Sequence, residues 1–289
     1  MQTETPETPD VADSADEPVG SGSRWGSVVG HVTLGGLGVL CVVPIYWLYA
    51  TSLRRPEDVY SLNPFPWPLS VASYAQAWTA IDLPGLLWNT TVMAVLVALG
   101  QLLTGLFAGY AFAAWDFRLS RPLYLLFVAT WLVPFQVTMV PNYALLNQLG
   151  TLNTIAGVVL PNLCTALAVI LLRQHVRSLP RELLEAARMD GRGSWTTLWT
   201  VVVPNLGPAL AALGVLLFVN AWNEYFWPAL VLQRTNAVLQ LGLRSFIGSE
   251  GTDWGPLMAT AGLACLPVML LYVVLQRRIV DGFVRSGLR

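Results

Sequence analysis

Long uncharged runs alternate with short polar breaks along this chain. Nothing charged lies between Arg24 and Arg54, between Asp82 and Asp116, between Arg192 and Glu224, or between Asp253 and Arg277. A further run, from Arg121 to Arg173, is long enough for two helices. About 20 apolar residues are needed to cross the hydrocarbon core of a bilayer. The pattern therefore predicts six crossings, near residues 28–50, 88–112, 123–143, 155–173, 205–228 and 256–276. Lipid offers no partner to a backbone N–H or C=O, so such spans must be helices. The expected fold class is an all-α integral membrane protein with six transmembrane helices.

Two polar stretches stand apart from these runs. The first 23 residues hold six acids, no base and many Pro, Thr, Ser and Gly, so they cannot bury apolar surface and are expected to be disordered. They lack the basic start and small-residue cleavage site of a signal peptide. The second stretch is an arginine-bearing island between two apolar spans, Ser178 to Pro208. Pro180 suits the start of a helix, and Glu182 is favoured in a first turn by the helix dipole. Leu183, Leu184, Ala186, Ala187 and Met189 make a short apolar-rich helix, and Asp190-Gly191 reads as its stop. Ser194 is placed to cap a second helix running towards Val203. A short helix, a glycine turn and a second helix make a docking shape. Glu185 beside Ala186 and Ala187 offers one acid among small side chains, where a partner surface can approach closely. An ordinary loop between spans would carry the same residues.

Charge adds orientation and excludes some chemistry. The chain is 55% hydrophobic and 11% charged, and all 16 basic residues are arginine. Without lysine there is no Walker A phosphate loop and no Schiff base, so this chain does not hydrolyse ATP by that route. Cys41, Cys164 and Cys265 fall inside spans and read as packing residues. Neither His31 nor His175 has a ligand neighbour at metal spacing, so no metal or cofactor is expected. With six spans and both ends on one side, twelve arginines fall on that side and four on the other. The positive-inside bias then puts both termini and the island in the cytoplasm.

The island residues Glu185-Ala186-Ala187, Asp190-Gly191, Pro204 and Pro208 resemble the EAA loop of ABC import permeases. The resemblance runs from about Asn63 to Gly282 and is nearest to the sugar-import, maltose-permease type. It is carried also by Asn89, Ala108-Gly109-Tyr110-Ala111, Pro134-Phe135-Gln136-Val137 with Pro141-Asn142-Tyr143, Leu149-Gly150-Thr151-Leu152-Asn153-Thr154, Trp222-Asn223-Glu224, and Gln276 to Gly282. Arg192, Gly193 and the ending Arg285 to Arg289 depart from the family pattern. The resemblance implies an ABC type-1 importer permease fold, organised as an acidic cytoplasmic tail (1–23), a first transmembrane helix with its outer segment (24–84), the permease domain (85–280) with its coupling loop (178–208), and a C-terminal cytoplasmic tail (281–289). It also implies a transport subunit rather than an enzyme, set in the plasma membrane. Its partners would be a cytoplasmic ABC ATPase dimer, a second and different permease subunit, and an extracytoplasmic solute-binding protein. The substrate would be a sugar, and no nucleic acid is involved. Glu185, Ala186, Ala187, Asp190 and Gly191 would couple to the ATPase, Glu185 facing a basic residue there and Gly191 making the turn.

Inside the membrane, Glu224 is the one acid well within a span, and an intramembrane acid points to function. With Asn220, Trp222 and Asn223 it supplies amides, a carboxylate and flat rings, the groups that bind hydroxyls and sugar C–H faces. Gln136, between Pro134 and Pro141, would join the same substrate path. Two other readings stay open: an aromatic belt with Glu224 reaching outer water, and a packed kink at the prolines. Gly105 and Gly109, continued by Ala113, read as a helix-packing face. An ion-coupled secondary transporter would need several intramembrane carboxylates or histidines, a membrane enzyme would need a clustered catalytic set, and an ABC permease for a non-sugar solute would share every feature above.

Overall fold

The computed structural model describes residues 24–249 and 251–287. The expected acidic tail, 1–23, lies outside these residues, as do Leu288 and Arg289. Residues 281–287 continue the last helix. Regular structure among the described residues is helical apart from one β-bridge, Ile247 to Thr252.

Of the described residues, those up to Trp47 are a unit by themselves. They make up most of α1 (Arg24–Ser52), whose Val32, Leu34, Val39 and Leu40 are all exposed. A helix that is apolar all round suits lipid. The second unit starts at Leu48. It opens with the end of α1, a loop tied by the buried Arg54 guanidinium to the Asn63 carbonyl, and α2 (Ala72–Ala80).

The longest buried element is α3 (Leu83–Ala114). Asp82 caps it by accepting the Gly85 N–H at 3.2 Å, and Pro84 sits in the first turn, where a missing N–H is harmless. Then come α4 (Ser120–Thr130) and α5 (Phe135–Gln148), which meet at 93°. The third expected crossing is therefore not one straight span. Pro134 is extended, with φ −60° and ψ 134°, and a residue before proline is driven out of helix, so the chain turns at Val133-Pro134. Pro141 is absorbed inside α5. The fourth expected crossing is also broken. α6 (Ile155–Val159) with its 3-10 extension to Asn162 makes 47° with α7 (Ala166–Arg177).

The island forms α8 (Arg181–Met189), α9 (Ser194–Thr197), a π turn over Leu198–Val202, and α10 (Val203–Asn205). Beyond it lie α11 (Gly207–Trp222), α12 (Phe226–Val231), α13 (Leu239–Arg244) and α14 (Trp254–Gly287). By length and apolarity four stretches can cross a membrane, Val28–Ser52, Leu83–Ala114, Gly207–Val231 and Trp254–Gln276, and the two bent pairs bring the number to six if each is one span.

Two buried clusters lie along α3. Near the island, Leu106 and Tyr110 pack with Leu172, Val176, Leu198, Val202, Leu213 and Leu217. At the opposite end, Met93 and Val97 pack with Leu146, Val158, Trp222, Trp227 and Leu239. Glycines let α7 approach. A Cβ on Gly105 would stand 2.6 Å from the Ala168 Cβ, and one on Gly109 would stand 2.8 Å from the Arg173 nitrogen. The small-residue spacing on α3 is thus a packing face, and it is α7 that packs there.

Candidate functional site

The island is fastened from below and open above. Leu179 and Leu184 pack on the cluster around α3, and Ala187 is 4% exposed. Glu182, Glu185, Ala186 and Met189 are exposed on α8. Of the five expected coupling residues, Glu185, Ala186, Asp190 and Gly191 lie on the open side, while Ala187 faces the body. Its small side chain serves the seating of α8, not the outer surface.

Gly191 ends α8 in a Schellman motif. Its φ is +71°, its N–H bonds the Arg188 carbonyl at 3.0 Å, and the Arg192 N–H bonds the Ala187 carbonyl at 3.0 Å. These bonds satisfy two carbonyls that a helix end otherwise leaves unpaired. The second helix starts one residue earlier than expected. Gly193 is its N-cap, with ψ 160°, and its carbonyl accepts the Thr197 hydroxyl. The π turn before α10 follows from Pro204, which has no N–H and crowds the preceding turn.

Side chains tie the island to the end of α3. Arg188 donates to the Ala114 carbonyl at 3.2 Å, and Arg173 donates to the Phe112 carbonyl at 3.3 Å. Both carbonyls belong to the last turn of α3, where cations are favoured by the helix dipole. The Tyr110 hydroxyl donates to the Ser194 carbonyl at 3.2 Å. Arg173 also lies 3.8 Å over the Tyr124 ring, so α4 joins the same junction. Arg192, a departure from the family pattern, pairs with Asp190 at 3.7 Å and donates to the Thr200 hydroxyl.

The expected path residues divide. Asn220 and Glu224 line a cavity of about 110 Å³ together with Gln101 of α3 and Asn162 after α6. Asn220 lies in the last turn of α11 and Glu224 just beyond its end, and both reach the cavity. Trp222, two residues from each, points the other way. It is 1% exposed, stacks on Phe218, and its carbonyl accepts from the Gln240 amide. Trp222 is a core residue here. The Asn223 amide bonds back to the Val219 carbonyl, and exposed Gln136 on α5 does not line the cavity. One Glu224 carboxylate oxygen accepts the Trp227 N–H at 3.2 Å, so Glu224 also caps α12 at the break after α11.

Gln101 and Asn162 carry no motif that marks them in the sequence. The available signal is that Met93, Val97 and Gln101 follow one face of α3 at a spacing of four residues, so Gln101 continues a buried stripe with a polar group. The Gln101 amide donates to the Asn162 carbonyl at 2.9 Å, and the Asn162 amide donates to the Val158 carbonyl at 2.9 Å.

At the end away from the island a second junction forms. Asn153 adopts φ 56° and makes four bonds to the end of α12 and the loop after it: its N–H to the Val231 carbonyl, its side-chain oxygen from the Gln233 N–H, its amide to the Thr235 hydroxyl, and its carbonyl from the Asn236 amide. Thr154 caps α6 by accepting the Gly157 N–H. Asn89 and Thr90 of α3 hold the same loop through the Ala237 carbonyl and the Leu239 N–H.

Known proteins share this chain's sequence and shape over nearly its full length. The sn-glycerol-3-phosphate transport system permease protein UgpE of Brucella abortus is 30% identical over 274 residues, covering 90% of this chain and 96% of the relative. The arabinooligosaccharides transport system permease protein AraQ of Halalkalibacterium halodurans is 30% identical, covering 88% and 93%. The lactose transport system permease protein LacG of Rhizobium radiobacter is 28% identical, covering 91% and 97%. A chain of the crystal structure of a bacterial ABC transporter involved in the import of the acidic polysaccharide alginate superposes with a TM-score of 0.79 at 23% identity, covering 90% of this chain and 98% of that one, which establishes the fold. Residues 101–285 match the family described as binding-protein-dependent transport system inner membrane component, and the chain belongs to that family.

Proposed function

We propose that this chain is the permease subunit of an ABC sugar importer in the cytoplasmic membrane, working by alternating access with no covalent chemistry of its own. A separate ATPase dimer drives it through the island, with Glu185, Ala186, Asp190 and Gly191 at the contact. Both termini and the island face the cytoplasm, as the arginine bias supports. A second, different permease supplies the other half of the path, and an extracytoplasmic binding protein delivers the cargo. Sugar is supported by relatives named for arabinooligosaccharide and lactose transport.

One observation carries the docking assignment. α8 is held from beneath by Ala187, Leu184 and Arg188, while Glu185 and Ala186 stay exposed on a helix that ends in a fixed turn. A helix seated this way can pass a push to the spans. ATP-driven closure of the ATPases would move α8, and the junction on α3 would carry that motion inward.

The test is co-expression with an ABC ATPase, a second permease and a binding protein. Glu185→Lys and Ala186→Trp alter the open face without touching the packed one. Loss of ATPase co-purification with normal membrane insertion is the expected result. Uptake that survives loss of the ATPase but collapses with an uncoupler overturns the proposal.

A further inference from the structure

The cavity between α3, α6 and α11 has a composition that selects among cargo classes. Its polar wall is one carboxylate, Glu224, and three amides, Gln101, Asn162 and Asn220. Among the described residues no basic side chain lines it. The Gln101 and Asn162 amide nitrogens are turned onto the backbone carbonyls of Asn162 and Val158. Each of these amides keeps one N–H and its oxygen for a ligand, and Asn220 and the second Glu224 oxygen add further donors and acceptors. The set offers donors and acceptors together and carries one carboxylate with no basic neighbour in the lining.

A sugar hydroxyl donates readily to such oxygens. A phosphate or carboxylate meets no basic side chain in the lining to offset its charge, and the Glu224 carboxylate repels it. Gln101 is 13 residues before the end of α3, about 20 Å along the helix from the island junction. A polar wall at that depth is tolerated beside protein or a water-filled path rather than against lipid.

Resting on the importer reading above, we infer that this subunit passes an uncharged polyhydroxyl cargo, whose hydroxyls donate into the cavity formed by Gln101, Asn162, Asn220 and Glu224, and that the cavity disfavours anionic sugars. This separates the chain from relatives whose names specify glycerol phosphate, and from the alginate importer that shares its fold.

The experiment reads the charge of the cavity directly. Among the described residues the Asn220 side chain makes no hydrogen bond, so Asn220→Cys leaves the local bonds in place. The thiol is introduced into the complete transporter with the exposed Cys41, Cys164 and Cys265 replaced by serine. Its modification rate is measured with ammonium-bearing and sulfonate-bearing methanethiosulfonates of like size. The ammonium reagent is expected to gain about tenfold over the sulfonate relative to a free thiol, the factor that about 1.4 kcal/mol gives. Glu224→Gln, which keeps an oxygen to cap α12, should erase that gain. Equal rates, a gain indifferent to Glu224→Gln, or a thiol that neither reagent reaches overturns the inference. ATP-dependent uptake of sn-glycerol 3-phosphate by the same vesicles also overturns it and leaves the importer assignment standing. Failure of the ATPase to co-purify sinks that assignment without altering the reagent ratio.

Discussion

The guanidinium of Arg188 donates to the carbonyl of Ala114 at 3.2 Å, joining the last turn of the island helix α8 to the last turn of α3. The bond has two physical supports. It pairs a carbonyl that the helix end leaves open, and it puts a cation at the negative end of the α3 dipole. α3 then runs unbroken from this contact to Gln101 in the cavity wall. A rigid helix between docking surface and cavity turns a displacement at one into a displacement at the other.

Arg188→Met keeps the stem length of the side chain and removes the bond. The site is exposed, so the static cost is about 1 kcal/mol or less. The expected effect lies in coupling: the ATPase still co-purifies, ATP is still hydrolysed, and sugar moved per ATP falls. Hydrolysis and uptake measured in the same vesicles check this. An unchanged ratio would show that α8 acts on the spans through Ala187 and Leu184 packing alone.

Gly191 separates backbone strain from crowding. Nothing lies within 4 Å of the position a Cβ would take, yet its φ is +71°. A β-branched residue is disfavoured there by about 1 kcal/mol or more, whereas asparagine tolerates the left-handed region. Gly191→Val should uncouple or disassemble the complex with the spans still inserted, and Gly191→Asn should act as wild type. ATPase co-purification and uptake of the two variants side by side decide it. Equal defects would mean that glycine is needed for contact with the partner rather than for the turn.

Asn153 makes the same kind of comparison at the other end of the molecule. Asn153→Gly keeps φ 56° accessible and loses the side-chain bonds to Gln233 and Thr235. Asn153→Ala loses the bonds and strains the backbone. Each net hydrogen bond contributes about 1 kcal/mol and the strain about as much again. Thermal unfolding of the purified chain in detergent should rank wild type above Gly and Gly above Ala. A Gly variant no better than Ala would show that the bonds alone hold the loop after α12.

Much of this arrangement is legible in the sequence because lipid makes composition decisive. The uncharged runs mark the crossings, and the polar island stands out between two of them. Asp190-Gly191 announces the turn that Gly191 makes. Less legible is anything set by tertiary packing. Pro134 signals a break but not a 93° corner, since the angle depends on what α5 packs against. Phe135 meets the Trp227 ring at 5.6 Å, a contact between residues 92 positions apart. Gln101 and Asn162 look like stray amides until packing brings them to Glu224. Trp222 sits between Asn220 and Glu224 in sequence, so composition groups all three. Within α11 the helical turn separates Trp222 from Asn220 and sends it to the core, and the chain leaves the helix before Glu224.

The α3–α7 seam gives the sharpest stability contrast. A Cβ at Gly109 would stand 2.8 Å from the Arg173 nitrogen and 3.2 Å from the Leu172 carbonyl carbon, atoms of backbone that cannot rotate away. One at Gly105 would stand 2.6 Å from the Ala168 Cβ and 3.0 Å from its carbonyl carbon. At Gly214, on α11, the nearest atom is the Leu102 Cδ2 at 3.8 Å, an ordinary contact. The same substitution should therefore have opposite outcomes. Gly105→Ala and Gly109→Ala overpack the seam and should each destabilise by about 1–3 kcal/mol. Gly214→Ala gains helix propensity with room to spare and should be neutral or slightly stabilising. Because Arg173 and Tyr110 flank Gly109, its variant should also disturb the junction with the island and lower uptake more than Gly105→Ala does. Melting in detergent with uptake in vesicles checks both halves. If all three alanines melt alike, the close approach of α3 and α7 is not what holds this end of the bundle together.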